Sequence, residues 1–85
     1  MQEILIGKLA NYYSKIGVGV LDLEADLAIG DKIRIERPSG SFIQKVQSIQ
    51  MEHQPQQSAL AGQSIGIKLD QPAPKGSKVY KIIEE

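Results

Sequence analysis

The chain has 85 residues, with 10 Lys and Arg against 10 Asp and Glu, so its formal net charge is zero. That length supports one small core, and residues 1–85 are expected to form a single domain. There is no Cys and one His, His53, which excludes a disulfide framework, thiolate zinc sites and the usual transition-metal ligand sets. No catalytic residue, metal or cofactor is expected, and the chain is read as a non-enzyme.

Hydrophobic residues make up 41% of the chain, too many for a disordered one. No run approaches the roughly 20 apolar residues of a membrane helix. The opening Met1–Lys8 carries Glu3 within a short apolar stretch, unlike a signal peptide. The expectation is a cytoplasmic protein with no membrane partner. Basic and acidic residues are interspersed, so no tail or block is present to bind nucleic acid by bulk phosphate neutralisation. Any RNA contact would have to be local.

In chain order, Ile4–Leu9 reads as a first strand. Ile16–Leu23 reads as a second, apolar at nearly every position, which predicts burial on both faces or a place inside a closed barrel. Gly17 and Gly19 lie two apart, on one face, and mark a bend or the close approach of another backbone. Residues 24–31 read as a connection. Lys32–Arg37 alternates cleanly, with Ile33 and Ile35 inward and Lys32, Arg34 and Glu36 toward water. Arg37-Pro38-Ser39-Gly40 suits a type I turn, and Phe42 opens the return strand of a hairpin spanning 32–51. Phe42 and Val46 share one parity and Ile49 and Met51 the other, which predicts a bulge or bend near Gln47-Ser48.

Residues 54–62 are polar and read as a loop. Ser64–Asp70 alternates again, with Ile65, Ile67 and Leu69 inward. Pro72 and Pro74 keep 71–76 out of any central strand, and Lys78–Ile83 is the last strand. Six strands separated by Gly and Pro signals predict an all-β fold, a small closed six-stranded antiparallel barrel without exposed edges.

Among candidate motifs, Gly62-Gln63-Ser64-Ile65-Gly66 matches the G-x-S-x-G pattern of a nucleophile elbow. The elbow needs a strand before the serine and a helix after it. Here a loop precedes and a strand follows, and the only His is upstream, so the glycines are assigned to a loop exit and a close strand contact. No dinucleotide or phosphate-loop fingerprint is present. Glu52 and His53 are adjacent, and on a strand they would face opposite sides. Tyr12 and Tyr13 with Lys8 and Lys15 form the best binding candidate. Aromatic rings flanked by ammonium groups can stack bases while the cations hold phosphates. The alternative is that one Tyr packs against the barrel and the other lies on its surface. Lys32, Arg34 and Lys45 could extend that surface across the hairpin, or form a solvated strand face.

The run Gly30-Asp31-Lys32-Ile33-Arg34-Ile35, then Val46–Met51, Ala61–Ile67 and Lys75–Tyr80, resembles the second, β-barrel domain of translational GTPases such as elongation factor Tu. The resemblance covers residues 4–83. Ile6-Gly7-Lys8-Leu9 and Tyr12–Val18 are closer to two relatives, the stand-alone translation elongation factor-like proteins and the C-terminal barrel of the collagenase-like peptidase family, which includes RNA-modifying enzymes. The resemblance implies a barrel that binds rather than reacts, with tRNA, rRNA or a ribosome-associated protein as partner. GTP binding is not implied, because the GTPase domain is not part of the match. Gln50 falls where elongation factor Tu carries a carboxylate that contacts the terminal adenosine of aminoacyl-tRNA. The expected function is a non-catalytic module contacting RNA or a ribonucleoprotein through Lys8, Tyr12, Tyr13, Lys15, Arg34 and Gln50. The alternative is a protein-docking module that acts with a separate enzyme or as a homo-oligomer.

Overall fold

The structure is a computed structural model that describes residues 2–84. The described residues contain ten strands and no helix: β1 (Gln2–Tyr13), β2 (Val18–Leu23), β3 (Leu27–Ala28), β4 (Lys32–Glu36), β5 (Phe42–Lys45), β6 (Ile49–Met51), β7 (Gln54–Gln56), β8 (Ser58–Ala59), β9 (Ser64–Lys68) and β10 (Lys78–Ile83). Eight of them form one antiparallel sheet in the order β5-β4-β10-β1-β2-β9-β6-β7, and β3 pairs with β8 in a separate two-stranded ribbon.

The closed six-stranded barrel expected from the sequence is therefore corrected to an open, curled sheet, a half-barrel whose edges are β5 and β7. No backbone ladder joins β5 to β9. A side chain spans part of that seam instead. Gln44 is buried, its Nε2 donates to the Lys68 carbonyl at 2.8 Å, and its Oε1 accepts from the Asp70 N–H at 2.7 Å. A buried amide with both ends satisfied carries none of the desolvation cost of an orphaned polar group.

Strict alternation puts Ile33, Ile35, Ile65, Ile67 and Val79 inside, each at most 1% exposed, with Ile6, Leu9 and Leu21 from β1 and β2. Burying each such side chain is worth roughly 1.5–3 kcal/mol. The expected bend near Gln47-Ser48 is present as the break between β5 and β6, and it lets Phe42, Val46 and Ile49 all reach the core. The Arg37–Gly40 turn closes with a 3.0 Å bond from the Gly40 N–H to the Arg37 carbonyl.

Two connections hold more structure than expected. Residues 24–31 contain β3, and 54–62 contain β7 and β8; the β3–β8 ribbon adds Leu27 and Ala59 to the core. Elements of two or three residues are too short to show a period.

β1 is longer than expected and is irregular at two places, where its register shifts between Leu5 and Gly7 against β10 and between Leu9 and Asn11 against β2. Gly7 lies where β2 comes closest: a Cβ built there would stand 2.1 Å from the Asp22 carbonyl oxygen. At Gly19 the close neighbours are side chains and not another backbone: its Cβ would meet Leu9 and Leu69 side chains at 2.9 and 3.1 Å. Gly17 instead ends the turn before β2, at φ +67°.

Candidate functional site

β2 is the strand whose reading changes most. It is not buried on both faces. Gly19, Leu21 and Leu23 point inward, while Val18 and Val20 are half-buried on the outer face and Ile16 is exposed just before them. Apolar residues on both parities here mean a core face and an apolar outer face.

The ladder aligns that outer face into two rows. Asn11, Val20, Gly66 and Gln50 stand in register across β1, β2, β9 and β6, and Tyr13, Val18 and Lys68 stand beside them. Gly66 has no side chain to fill its place in the row. The result is a trough of about 290 Å³ with Gly66 on its floor, Val18 and Val20 on one wall, Gln50 and His53 on the other, and Tyr13 at one end. A Cβ on Gly66 would stand 3.2 Å from a Val18 methyl, so a larger residue there would crowd the floor. The lip near Ile16 is held by Lys68, whose Nζ donates to the Ile16 carbonyl at 2.6 Å.

The far wall ends in a strained turn. Met51 pairs with Gln54, so Glu52 and His53 are the two central residues of a hairpin loop, with φ of 52° and 66°. Such loops favour Asn-Gly or Gly-Gly, because both central residues must adopt left-handed backbone. The expectation that Glu52 and His53 sit on opposite faces of a strand is corrected: both line the trough.

The structure brings together two of the six candidate residues, Tyr13 and Gln50, although 36 residues separate them in the chain. Tyr12 and Tyr13 face opposite ways; Tyr12 packs against the core and Tyr13 is 51% exposed, so they do not form a joint platform. Lys15 lies exposed on the turn between β1 and β2. Lys8 is elsewhere on the outer face, opposite Asp22 and Lys78.

Arg34 belongs to the other half of the sheet. Its Nε and Nη2 donate to the Glu3 carboxylate at 2.8–3.1 Å, its Nη1 donates to Ser41 Oγ at 2.8 Å, and Glu36 lies 3.4 Å away. The guanidinium also lies 4.5 Å over the Tyr80 ring. These acceptors, Glu3 first, push its pKa further up. The trough residues that the sequence reading missed are Val18, Val20, Gly66, Glu52 and His53. The one available signal was that β2 is apolar on both parities.

The sequence is similar to part of larger proteins. It is 34% identical over 84 residues to an uncharacterised protease of Methanocaldococcus jannaschii, a match covering 98% of this chain and 21% of that protein. It is 38% identical over 82 residues to a collagenase of Porphyromonas gingivalis, covering 94% of this chain and 20% of the collagenase. The chain thus spans about a fifth of the length of these curated relatives. No protein-family profile matches it.

Among solved structures it superposes on the C-terminal domain of a Geobacillus thermoleovorans protein assigned to the U32 peptidases, with a TM-score of 0.87 at 18% identity, over 94% of this chain and 93% of that one. A selenomethionine variant of the same domain gives 0.83, over 88% and 95%. The fold is that of a U32 peptidase C-terminal domain. The collagenase-like part of the expected resemblance is thereby supported. Among the described residues, no helix is long and apolar enough to cross a membrane.

Proposed function

We propose that the chain is a non-catalytic module that serves a separate catalytic domain and docks on it through the outer trough. The observation that carries this reading is the pairing of a match over nearly the whole chain with coverage of only about a fifth of relatives named protease or collagenase. A U32-type C-terminal domain has the rest of such a protein as its natural neighbour. The trough supplies a surface suited to that contact. It is an apolar strip with Gln50 and His53 as polar rim and a half-exposed Tyr at one end, and aromatic residues with a polar rim are favoured at protein interfaces. The strained Glu52-His53 turn supports the same assignment, since backbone held in unfavourable conformations clusters at functional sites.

The RNA reading rests on a different feature. Tyr13 is exposed on the outer face and Lys15 is exposed on the turn that follows it, residue types that could stack a base and hold a phosphate. The translation-factor resemblance in Gly30–Ile35 and Val46–Met51 supports it at the level of motif alone.

The test is affinity capture from the native cell extract with the wild-type chain and with Tyr13→Ala and Gly66→Val variants, each split into RNase-treated and untreated halves. The expected result is a partner carrying U32 peptidase-like catalytic sequence, retained after RNase and lost with either variant that still folds. Partners that vanish with RNase would replace docking by the RNA reading. Capture unaffected by both variants would remove the trough from the interface.

A further inference from the structure

The trough face carries a hollow and a projection side by side. The hollow lies over Gly66, inside a strand where β-branched residues are favoured. Gly66 is not among the glycines with positive φ, so the backbone does not require glycine there. Its one close neighbour is a Val18 methyl, a side-chain contact. A glycine in a strand often marks the place where another group comes close. The projection is at the lip of the same trough, where Ile16 is 59% and Tyr13 51% exposed. Among the described residues the other large apolar side chains more than half exposed are Ile43 and Leu60, and neither borders the trough.

The charges at the two ends have opposite signs. Lys15 is exposed next to Ile16, and Lys68 reaches the Ile16 carbonyl. At the other end, one row beyond Gln50, the β6–β7 turn presents the exposed Glu52. Among the described residues neither Lys15 nor Glu52 has an ion-pair partner.

We infer that two copies of this chain pair face to face through the trough, with Ile16 of each seated over Gly66 of the other and Lys15 of each beside Glu52 of the other. A two-fold contact needs a patch that complements itself. Here the end that projects is basic and the end beside the hollow is acidic, so turning one copy against the other matches shape and charge together. An unrelated partner could fill the hollow, but it would need a second feature to cover Ile16 and Tyr13. A second copy covers both at once. The contact is part of one face of a molecule measuring 33 × 28 × 20 Å. It therefore belongs to the small class of interfaces, below about 1,200 Å² in total, and the dimer is weak and concentration-dependent. Pairing and docking on a catalytic domain use the same surface and exclude one another, so a paired module must separate before it docks. The inference uses the geometry of the trough and does not require a catalytic partner.

The experiment is sedimentation velocity of the purified chain from micromolar to millimolar concentration. The wild-type chain is expected to shift from monomer to dimer across that range. Ile16→Ser changes an exposed turn residue and is expected to raise the dimer Kd more than about tenfold, because each dimer loses two buried side chains. Gly66→Val fills the hollow and is expected to have the same effect. Ile43→Ser and Leu60→Ser are the controls and leave the Kd unchanged. Lys15→Glu and Glu52→Lys are each expected to weaken the dimer about threefold or more, since each sets like charges against one another twice. An equimolar mixture of those two variants is expected to associate more tightly than either alone, because both pairs across a mixed dimer are then of opposite charge. The inference is overturned if the wild-type chain stays monomeric at millimolar concentration, or if Ile16→Ser and folded Gly66→Val both keep the wild-type Kd. It is equally overturned if the mixture associates no better than its components. Self-association is read on the purified chain alone, so its failure leaves the capture experiment for docking standing.

Discussion

The outer face of this sheet has two halves that share one core and differ in what they offer the solvent. Across β4, β10 and the start of β1, charged groups answer one another: Glu3 and Glu36 flank Arg34, Arg34 covers Tyr80, and Lys32 meets Glu84. Across β2, β9 and β6 the same positions hold Val18, Val20, Gly66 and Gln50. The inner rows of both halves are Ile, Leu and Val, so packing does not demand the difference. One half is covered toward water by its own ion pairs, with Leu5 and Ile43 as scattered exposed apolar residues. The other leaves apolar area and an empty place at Gly66 that a partner can fill. A cation on a strand is thus weak evidence of a binding site until its neighbours are known. Arg34 looked available in the sequence and is the most heavily partnered cation on the sheet.

The comparison depends on both halves being rigidly joined, and β1 makes the join by pairing with β10 on one side and β2 on the other. Gly7→Ala therefore gives the largest expected effect. Its methyl would overlap the Asp22 carbonyl, and the loss should exceed about 3 kcal/mol, beyond ordinary overpacking. Urea unfolding measures it, and a loss below about 1 kcal/mol would mean that the two strands separate easily.

Gln44→Leu comes next. It removes the partners of the Lys68 carbonyl and the Asp70 N–H and should cost about 2 kcal/mol, with faster hydrogen exchange at Asp70. A neutral outcome would show that the open seam needs no clasp.

His53→Gly should act in the opposite direction on stability and on docking. Relieving the left-handed residue should stabilise the fold by about 1 kcal/mol, seen as a higher Tm, while removing the imidazole from the trough wall weakens partner capture. Stability and capture moving together would detach the strained turn from function.

The smallest effect belongs to the ion-paired half. Lys32 holds the Glu84 carboxyl below its usual value. A depressed carboxylate pKa stabilises the fold above the unfolded-state value, and that contribution is lost as the pH falls through the lowered one. Glu84→Gln should flatten the acid limb of stability slightly, while variants in the trough leave that limb unchanged.

Much of the inner face was legible in the sequence, because alternation such as Ile33-Arg34-Ile35 and Ile65-Gly66-Ile67 ties burial to a two-residue period. The openness of the sheet was not. It depends on whether β5 meets β9, and there the contact is made by one glutamine side chain. The β3–β8 ribbon escaped because two residues have no period. Tyr13 and Gln50 were each marked as binding residues, but their meeting was not foreseeable: it follows from the shifted register at Ala10 and from β9 lying between β2 and β6. Val18 and Val20 were read as buried because an apolar outer face and an apolar core leave the same trace in one strand.

The most direct measurement is a nuclear magnetic resonance map of backbone amides with and without the captured partner. The expected result is shifts concentrated at Val18, Val20, Gln50, His53 and Gly66, with Lys32, Arg34, Glu36 and Tyr80 unmoved. Shifts centred on the Arg34 network, with the trough silent, would contradict the division of the outer face into a solvated half and a docking half.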